Sequence, residues 1–116
     1  MLRVFLILLL LTSSFSCSKK EKARMISQPT EEETVIAIYA EAVEALKEGD
    51  AFYAGKKFKE VESLMPQSEW AAKASLMAGY ADYSRNAFSS SVLGLERYIN
   101  NYPADKNLPY AHYLIA

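Results

Sequence analysis

The stretch EVESLMPQSEWAAKASLMAGYADYSRN, residues 60–86, decides the fold of this chain. It holds a helix end at 61–65, a proline stop at Pro66, a restart signal at Ser68 and a second apolar helix over 70–83. Proline cannot continue a helix, and serine is a favoured N-cap. The stretch therefore predicts a joint between two helical hairpins. It contains no catalytic constellation, so any function has to come from the surface that the helices build.

A first hairpin is predicted before this joint. Thr30 and Glu33 have the spacing of a capping box, and the helix that they begin should end near Glu48, where Gly49 tolerates the left-handed conformation. Asp50 is a suitable cap for a second helix. Apolar residues recur at three- and four-residue steps in both helices and are expected to form the core: Val35, Ile36, Tyr39, Ala42, Val43 and Leu46, then Ala54, Phe58, Val61 and Met65.

The same plan recurs 37 residues later, since Gly49 and Asn86, like Pro66 and Pro103, are 37 residues apart. The expected core of the second hairpin is Ala72, Leu76, Gly79, Tyr80 and Tyr83, then Phe88, Val92, Leu95, Ile99 and Tyr102. A repeat of two helices predicts an all-α solenoid in which each hairpin buries its apolar face on its neighbour. The small, aromatic and proline positions resemble the tetratricopeptide repeat, whose usual length is about 34 residues, so a slightly longer unit is expected.

The N-terminal segment MLRVFLILLLLTSSFSC has the pattern of a secretory signal. Its apolar run, 4–11, is far shorter than the ~20 residues of a membrane-spanning helix. Cys17, the only cysteine, follows small residues and precedes a polar tract, as in a bacterial lipobox, although Ser14 stands where such boxes usually have leucine. We expect lipidation at Cys17; the alternative is a buried or idle thiol.

Three segments follow from these features. Residues 1–16 are predicted to be a lipoprotein signal peptide, and 17–29 to be the lipidated cysteine with a charged, flexible tether. Residues 30–116 are predicted to form the tetratricopeptide-like repeat domain, with two complete hairpins and the first helix of a third.

Composition argues against several classes of function. The chain has 13 Lys and Arg against 14 Asp and Glu, which gives no basic excess for nucleic acid. His112 is the only histidine, and no Gly-rich phosphate loop or nucleophile elbow is present. Carboxylates such as Glu41 and Glu44 lie on one polar helical face and are expected to be solvated. We therefore predict neither an enzyme nor a metal or cofactor site.

Beyond these patterns, the chain resembles the BamD family, the ComL-like lipoproteins of the β-barrel assembly machinery. The resemblance is carried by two segments, EALKEGDAFYAGKKFKEVESLMPQSEWAAKASLMAGYADY and LERYINNYPADKNLPYAHYLIA, and it covers 38–116. Its most telling pieces are PQSEWA at the joint, YADYSRN at the next helix end, and PADKNLPYAHYL before a third hairpin.

This resemblance implies a lipid-anchored scaffold on the periplasmic face of the outer membrane. The implied partners are the barrel-forming assembly subunit, accessory lipoproteins and unfolded outer-membrane proteins. A tetratricopeptide groove lined by the first helices of successive hairpins is the expected binding surface. Its candidate residues are Trp70, Tyr80, Tyr83 and Arg85, each with an alternative role: inter-hairpin packing for Trp70, core packing for the tyrosines and simple solvation for Arg85.

A second hypothesis stays open at this point. A generic periplasmic tetratricopeptide lipoprotein that organises cell-envelope enzymes would have the same helices, tether and cysteine. The two hypotheses differ in the partners that the protein recovers, namely a barrel assembly subunit or peptidoglycan enzymes.

Overall fold

The structure is a computed structural model that describes residues 27–116. The predicted signal peptide, Cys17 and most of the predicted tether lie outside the described residues. Within 27–116 the chain forms five helices and no strand: α1 (Glu31–Lys47), α2 (Ala51–Leu64), α3 (Glu69–Ser84), α4 (Phe88–Asn101) and α5 (Leu108–Ile115). The prediction of an all-α, tetratricopeptide-like fold is confirmed.

The predicted helix starts are present with their side-chain caps. The Thr30 hydroxyl accepts from the Glu33 amide at 3.1 Å, and the Glu33 carboxylate accepts from the Thr30 amide at 2.7 Å, which completes the capping box. Asp50 caps α2 by accepting from the Tyr53 amide at 3.0 Å. Ser68 caps α3 by accepting from the Ala71 amide at 3.0 Å.

The two hairpin turns are equivalent and explain the repeat. Gly49 has φ +92° and Asn86 has φ +63°, and each follows the last residues of a first helix. Behind each turn a backbone amide reaches back to the helix end, from Asp50 to Ala45 and from Ala87 to Asp82, both at 2.9 Å. This bonding satisfies carbonyl groups that a helix end leaves free. The second helix of each hairpin therefore begins two residues after the turn residue, at Ala51 after Gly49 and at Phe88 after Asn86.

Helix α3 stands at the centre of the fold because it is buried on two sides. Ala74 and Ala78 pack into the first core, formed with α1 and α2. Ala71, Ala72 and Leu76 pack into the second core, formed with α4 and α5. Its many small residues let four other helices approach, which explains why one stretch organises both hairpins.

The closest approach occurs between α3 and α4 at Gly79. A Cβ atom at this position would lie 2.6 Å from Leu95 Cδ2 and 2.8 Å from Leu95 Cγ. The Gly79 carbonyl also accepts a buried hydrogen bond from the Ser91 hydroxyl at 2.8 Å. Helices α3 and α4 of the second hairpin therefore contact each other at Gly79, which the repeat pattern placed in the core.

Of the predicted core residues, three are exposed and seven are only half-buried, namely Tyr39, Val43, Leu46, Met65, Tyr80, Val92 and Ile99. Ile36 and Phe88 are exposed: Ile36 follows the fully buried Val35 and is turned away from α2, while Phe88 is the first residue of α4 and lies at the rim. Tyr83 is exposed as well, because it lies near the end of α3 beyond the packed region. Tyr98 is fully buried. The sequence pattern predicted its neighbour Ile99, and not Tyr98, as the core residue at this point of α4.

Two buried tyrosines bind carboxylates across the fold. The Tyr98 hydroxyl donates to Asp105 Oδ1 at 2.5 Å, and the Tyr102 hydroxyl donates to Glu62 Oε1 at 3.2 Å. Burial and then the neighbouring carboxylate raise the pKa of Tyr102 to about 12. Arg97 also donates to Glu62, at 3.0 Å, so α2 and α4 are joined through one carboxylate. No helix among the described residues has the length and apolar character needed to cross a membrane.

Candidate functional site

Trp70 lies in the packing between the two hairpins. Its ring centroid is 5.3 Å from that of Tyr39 in an edge-to-face arrangement, and Tyr39 makes a similar contact with Phe58 at 5.2 Å. The Lys73 ammonium lies over the Trp70 indole, 4.8 Å from the ring centroid. Trp70 therefore joins α1 to α3, and only part of its ring is accessible to a ligand.

Tyr80 and Tyr83 lie together near the C-terminal end of α3. Their ring centroids are 6.5 Å apart, and the Tyr83 ring contacts Phe88 at 5.8 Å. On α5, Tyr110 and Tyr113 stack at 6.4 Å. Burial, and after it the neighbouring Tyr80, Tyr113 and Tyr83, raise the pKa of Tyr110. Tyr83 and Phe88 line one cavity together with Tyr113, which brings the two pairs to the same part of the surface. We call this group, Tyr80, Tyr83, Phe88, Tyr110 and Tyr113, the aromatic surface.

Arg85 does not point into this surface. Its guanidinium donates to Asp82 Oδ1, with the Nη2 atom at 2.9 Å, and lies over the Phe52 ring at 5.4 Å. Phe52 begins α2, on the other side of α3 from α5. The structure therefore brings Tyr80 and Tyr83 together and holds Trp70 and Arg85 in separate contacts. Whether any of the four residues binds a peptide stays a prediction.

The aromatic surface has the properties of a binding site for an apolar chain. Four of its five residues, Tyr83, Phe88, Tyr110 and Tyr113, are exposed large side chains, and Tyr113 is 75% exposed. A cavity of about 470 Å³ lies between Tyr83 and Phe88 on one side and Tyr113 and Leu114 on the other. Rigid aromatic rings with a polar hydroxyl offer a large contact area at a low entropic cost. The arrangement suits aromatic or aliphatic side chains of a polypeptide.

Sequence reasoning found two of these five residues. It placed Phe88 in the core and left Tyr110 and Tyr113 without an assigned role. The available signal was their spacing, since Tyr80 and Tyr83, like Tyr110 and Tyr113, are three residues apart on the first helix of a hairpin. Residues at this spacing share one helical face. Each pair therefore lies on one face of its own helix.

No acid or base cluster accompanies this surface. His112 is exposed, and within residues 27–116 no group of three His, Cys, Asp or Glu side chains is arranged to hold a metal ion.

Comparison with known proteins gives consistent matches. Residues 31–116 match the family YfiO, described as outer membrane lipoprotein. The chain is 35% identical over 95 residues to the outer membrane protein assembly factor BamD of Caulobacter vibrioides, which covers 82% of this chain and 31% of that protein. It is 29% identical over 99 residues to the protein of the same name from Neisseria gonorrhoeae, covering 85% of this chain and 37% of that protein. The chain thus spans about a third of the length of these relatives.

Proposed function

Because the chain belongs to the YfiO family of outer membrane lipoproteins, we propose that it forms the N-terminal part of a scaffold that assembles proteins into the outer membrane. The family membership confirms the resemblance drawn from the sequence. The relatives are named as assembly factors, and the prediction that the protein is not an enzyme agrees with those names.

The observation that carries this proposal is the family match over residues 31–116, on a helical-repeat fold whose α3 and α4 present Tyr80, Tyr83 and Phe88 side by side. Unfolded β-barrel proteins expose strands in which apolar and polar side chains alternate, with aromatic side chains near the strand ends, because the apolar and aromatic side chains normally face the lipid. The tyrosines and Phe88 provide flat contacts for such side chains, and the rim hydroxyls can bond to the peptide backbone. Proposed partners are therefore unfolded outer-membrane proteins at this surface, together with the barrel-forming subunit and accessory lipoproteins of the assembly complex elsewhere on the full-length protein.

We also propose that Cys17 carries a lipid and holds the protein at the periplasmic face of the outer membrane. Family membership supports association with this membrane, and the sequence before α1 supplies a signal pattern and a single cysteine. The substitution Cys17→Ala should release the protein from outer-membrane fractions. If the variant still floats with them through its own acyl group, lipidation at Cys17 is wrong.

The test of substrate binding is a peptide titration. A fluorescent peptide from the C-terminus of a β-barrel outer-membrane protein should bind the purified full-length protein, as measured by anisotropy. Tyr83→Ala and Tyr113→Ala should each weaken binding by roughly fivefold or more, because exposed aromatic anchors supply most of the energy in such contacts.

Phe52→Ala is the matched control. Phe52 is also an exposed aromatic residue but lies at the start of α2, outside the aromatic surface. If it weakens binding as much as Tyr83→Ala does, the aromatic surface is not the site. Recovery of peptidoglycan enzymes and no barrel subunit with the full-length protein would favour the generic envelope scaffold instead.

A further inference from the structure

A second concave surface lies between α2 and α4 and shares no lining residue with the aromatic surface. Its walls include Lys59 and Glu62 on α2 and Leu93 and Arg97 on α4, and α3 forms its floor. We call it the α2–α4 cleft. Its volume of about 740 Å³ is within the range of ~300–1,000 Å³ that ligand sites in proteins occupy.

The floor of the cleft contains an unpartnered polar group. Ser75 is only 1% exposed, and its Oγ atom has no hydrogen-bond partner among the described residues. Buried hydroxyls are ordinarily bonded, so this atom indicates a partner that the described chain does not supply. Ala78 and Gly79 line the floor of the cleft beside it.

The accessible charge of the cleft is positive, although its charged residues are balanced in number. The Glu62 and Asp82 side chains are 12% and 9% exposed, whereas those of Lys59 and Arg97 are 57% and 50% exposed. The carboxylates are used inside the fold, Glu62 by Arg97 at 3.0 Å and Asp82 by Arg85 at 2.9 Å, with the exposed Lys59 ammonium 4.0 Å from Asp82. An approaching molecule therefore meets the two cations first, and an acidic group is the complementary ligand.

The length of the cleft suits an extended segment. It follows α4 from Ser90 to Asn101, which corresponds to about 16 Å at the helical rise per residue. About five residues in extended conformation cover this distance. Leu93 is exposed on the wall and offers an apolar contact to such a segment.

We propose that the α2–α4 cleft binds an extended, acidic segment of a partner polypeptide. The Ser75 hydroxyl bonds to its backbone, Lys59 and Arg97 pair with its carboxylates, and Leu93 contacts an apolar side chain. The segment of this chain that precedes α1 is the wrong occupant, because Lys19, Lys20, Lys22 and Arg24 would meet cations of the same sign.

A selection from random peptides displayed on phage tests the proposal. Peptides are selected on the purified full-length protein and counter-selected on Gly94→Phe, which fills the cleft, with circular dichroism as the check that this variant is folded. If Gly94→Phe does not fold, Ser90→Trp, at an exposed position on the wall of the cleft, takes its place in the counter-selection. The peptides that require the open cleft should be rich in Asp and Glu.

Two charge reversals on α2 then distinguish binding in the cleft from a general effect of charge on the peptide affinity. Lys59→Glu should weaken the binding of a selected peptide by about tenfold or more, because a rim cation becomes a repulsive carboxylate. Lys56→Glu makes the same charge change on an exposed residue of α2 that does not line the cleft, and it should change the affinity less than about twofold. Equal weakening by the two variants would overturn the proposal.

Ser75→Ala supplies a readout that a purely structural role would not give. The free protein should be as stable as the parent or more stable, because an unbonded buried hydroxyl is removed. The same variant should bind the selected peptide about three- to tenfold more weakly, because one hydrogen bond to the peptide is lost. Unchanged peptide affinity, the absence of any cleft-dependent acidic peptide, or binding of a synthetic 18–26 peptide to the cleft would each overturn the proposal.

Discussion

Replacing Gly79 with alanine should destabilise the packing of α3 against α4. The added Cβ would lie 2.6 and 2.8 Å from two side-chain carbons of Leu95, which is fully buried and has no open space to move into. Overpacking of this kind costs about 1–3 kcal/mol, whereas the alanine gains about 1 kcal/mol of helix propensity. The net loss should be up to about 2 kcal/mol, a fall in Tm of up to about 15 °C for a domain of this size.

Gly55→Ala is the matched control in α2. A Cβ at Gly55 would be 3.6 Å from the Ala81 Cβ, an ordinary van der Waals contact, so the propensity gain should raise the stability by about 0.5–1 kcal/mol. Thermal and urea unfolding followed by circular dichroism measures both variants. The reasoning is refuted if Gly79→Ala raises the Tm as Gly55→Ala does, because Leu95 would then not be held in place.

Three further outcomes are expected from the same unfolding assays. The folded chain keeps Tyr102 neutral and raises its pKa from 10.0 to about 12, so the contribution of this residue to stability should be constant below pH 10 and fall between pH 10 and 12. Tyr102→Phe should remove part of this fall, and the rest should remain because burial raises the pKa of Tyr98 further; an unchanged slope would assign the whole fall to other groups. Phe58→Ala should cost about 3–5 kcal/mol because the ring is fully buried, whereas Phe52→Ala at an exposed site should cost less than about 0.5 kcal/mol; similar costs would contradict the assigned burial. Ser68→Ala should cost about 1 kcal/mol by removing the α3 cap, and no loss would show that the cap is dispensable.

Much of the fold could be predicted because its signals are local. The caps at Thr30, Asp50 and Ser68 bond to amides three residues away, and the turn at Gly49 needs a positive φ that glycine adopts readily. Asn86 takes the same role 37 residues later, since asparagine also tolerates the left-handed region. These interactions lie within one helical turn and can be recognised from spacing.

The errors arose where burial depends on a neighbouring helix. Ile36 and Val35 are adjacent and equally apolar, but only Val35 faces another element, because α1 packs on one side alone. Tyr98 is buried with its hydroxyl bound to Asp105, and periodicity gives no sign that a carboxylate seven residues away will serve it. Hydrophobic pattern indicates that a face is apolar without saying how much of it is covered.

At the candidate sites, too, pairs within one helix could be recognised from the sequence, whereas contacts between helices could not. Tyr80 and Tyr83 were recognisable as an aromatic pair, and the Asp82 and Arg85 ion pair has a spacing of three residues that sequence alone could have indicated. The pairing of Tyr110 and Tyr113 with them depends on how α5 packs beside α3, and the orphan Ser75 hydroxyl depends on the gap between α2 and α4.

The helices, their ends and the 37-residue repeat could be read from the sequence, with the stretch 60–86 at their centre, because capping, proline and glycine effects act over a few residues of the chain. Only the tertiary structure decided that α3 is buried on two sides, that five aromatic rings from three helices form one surface, and that Lys59 and Arg97 are exposed while their carboxylate partners are not. The physical reason is that exposure and net accessible charge are properties of helices packed against each other, and packing joins residues that the sequence keeps far apart.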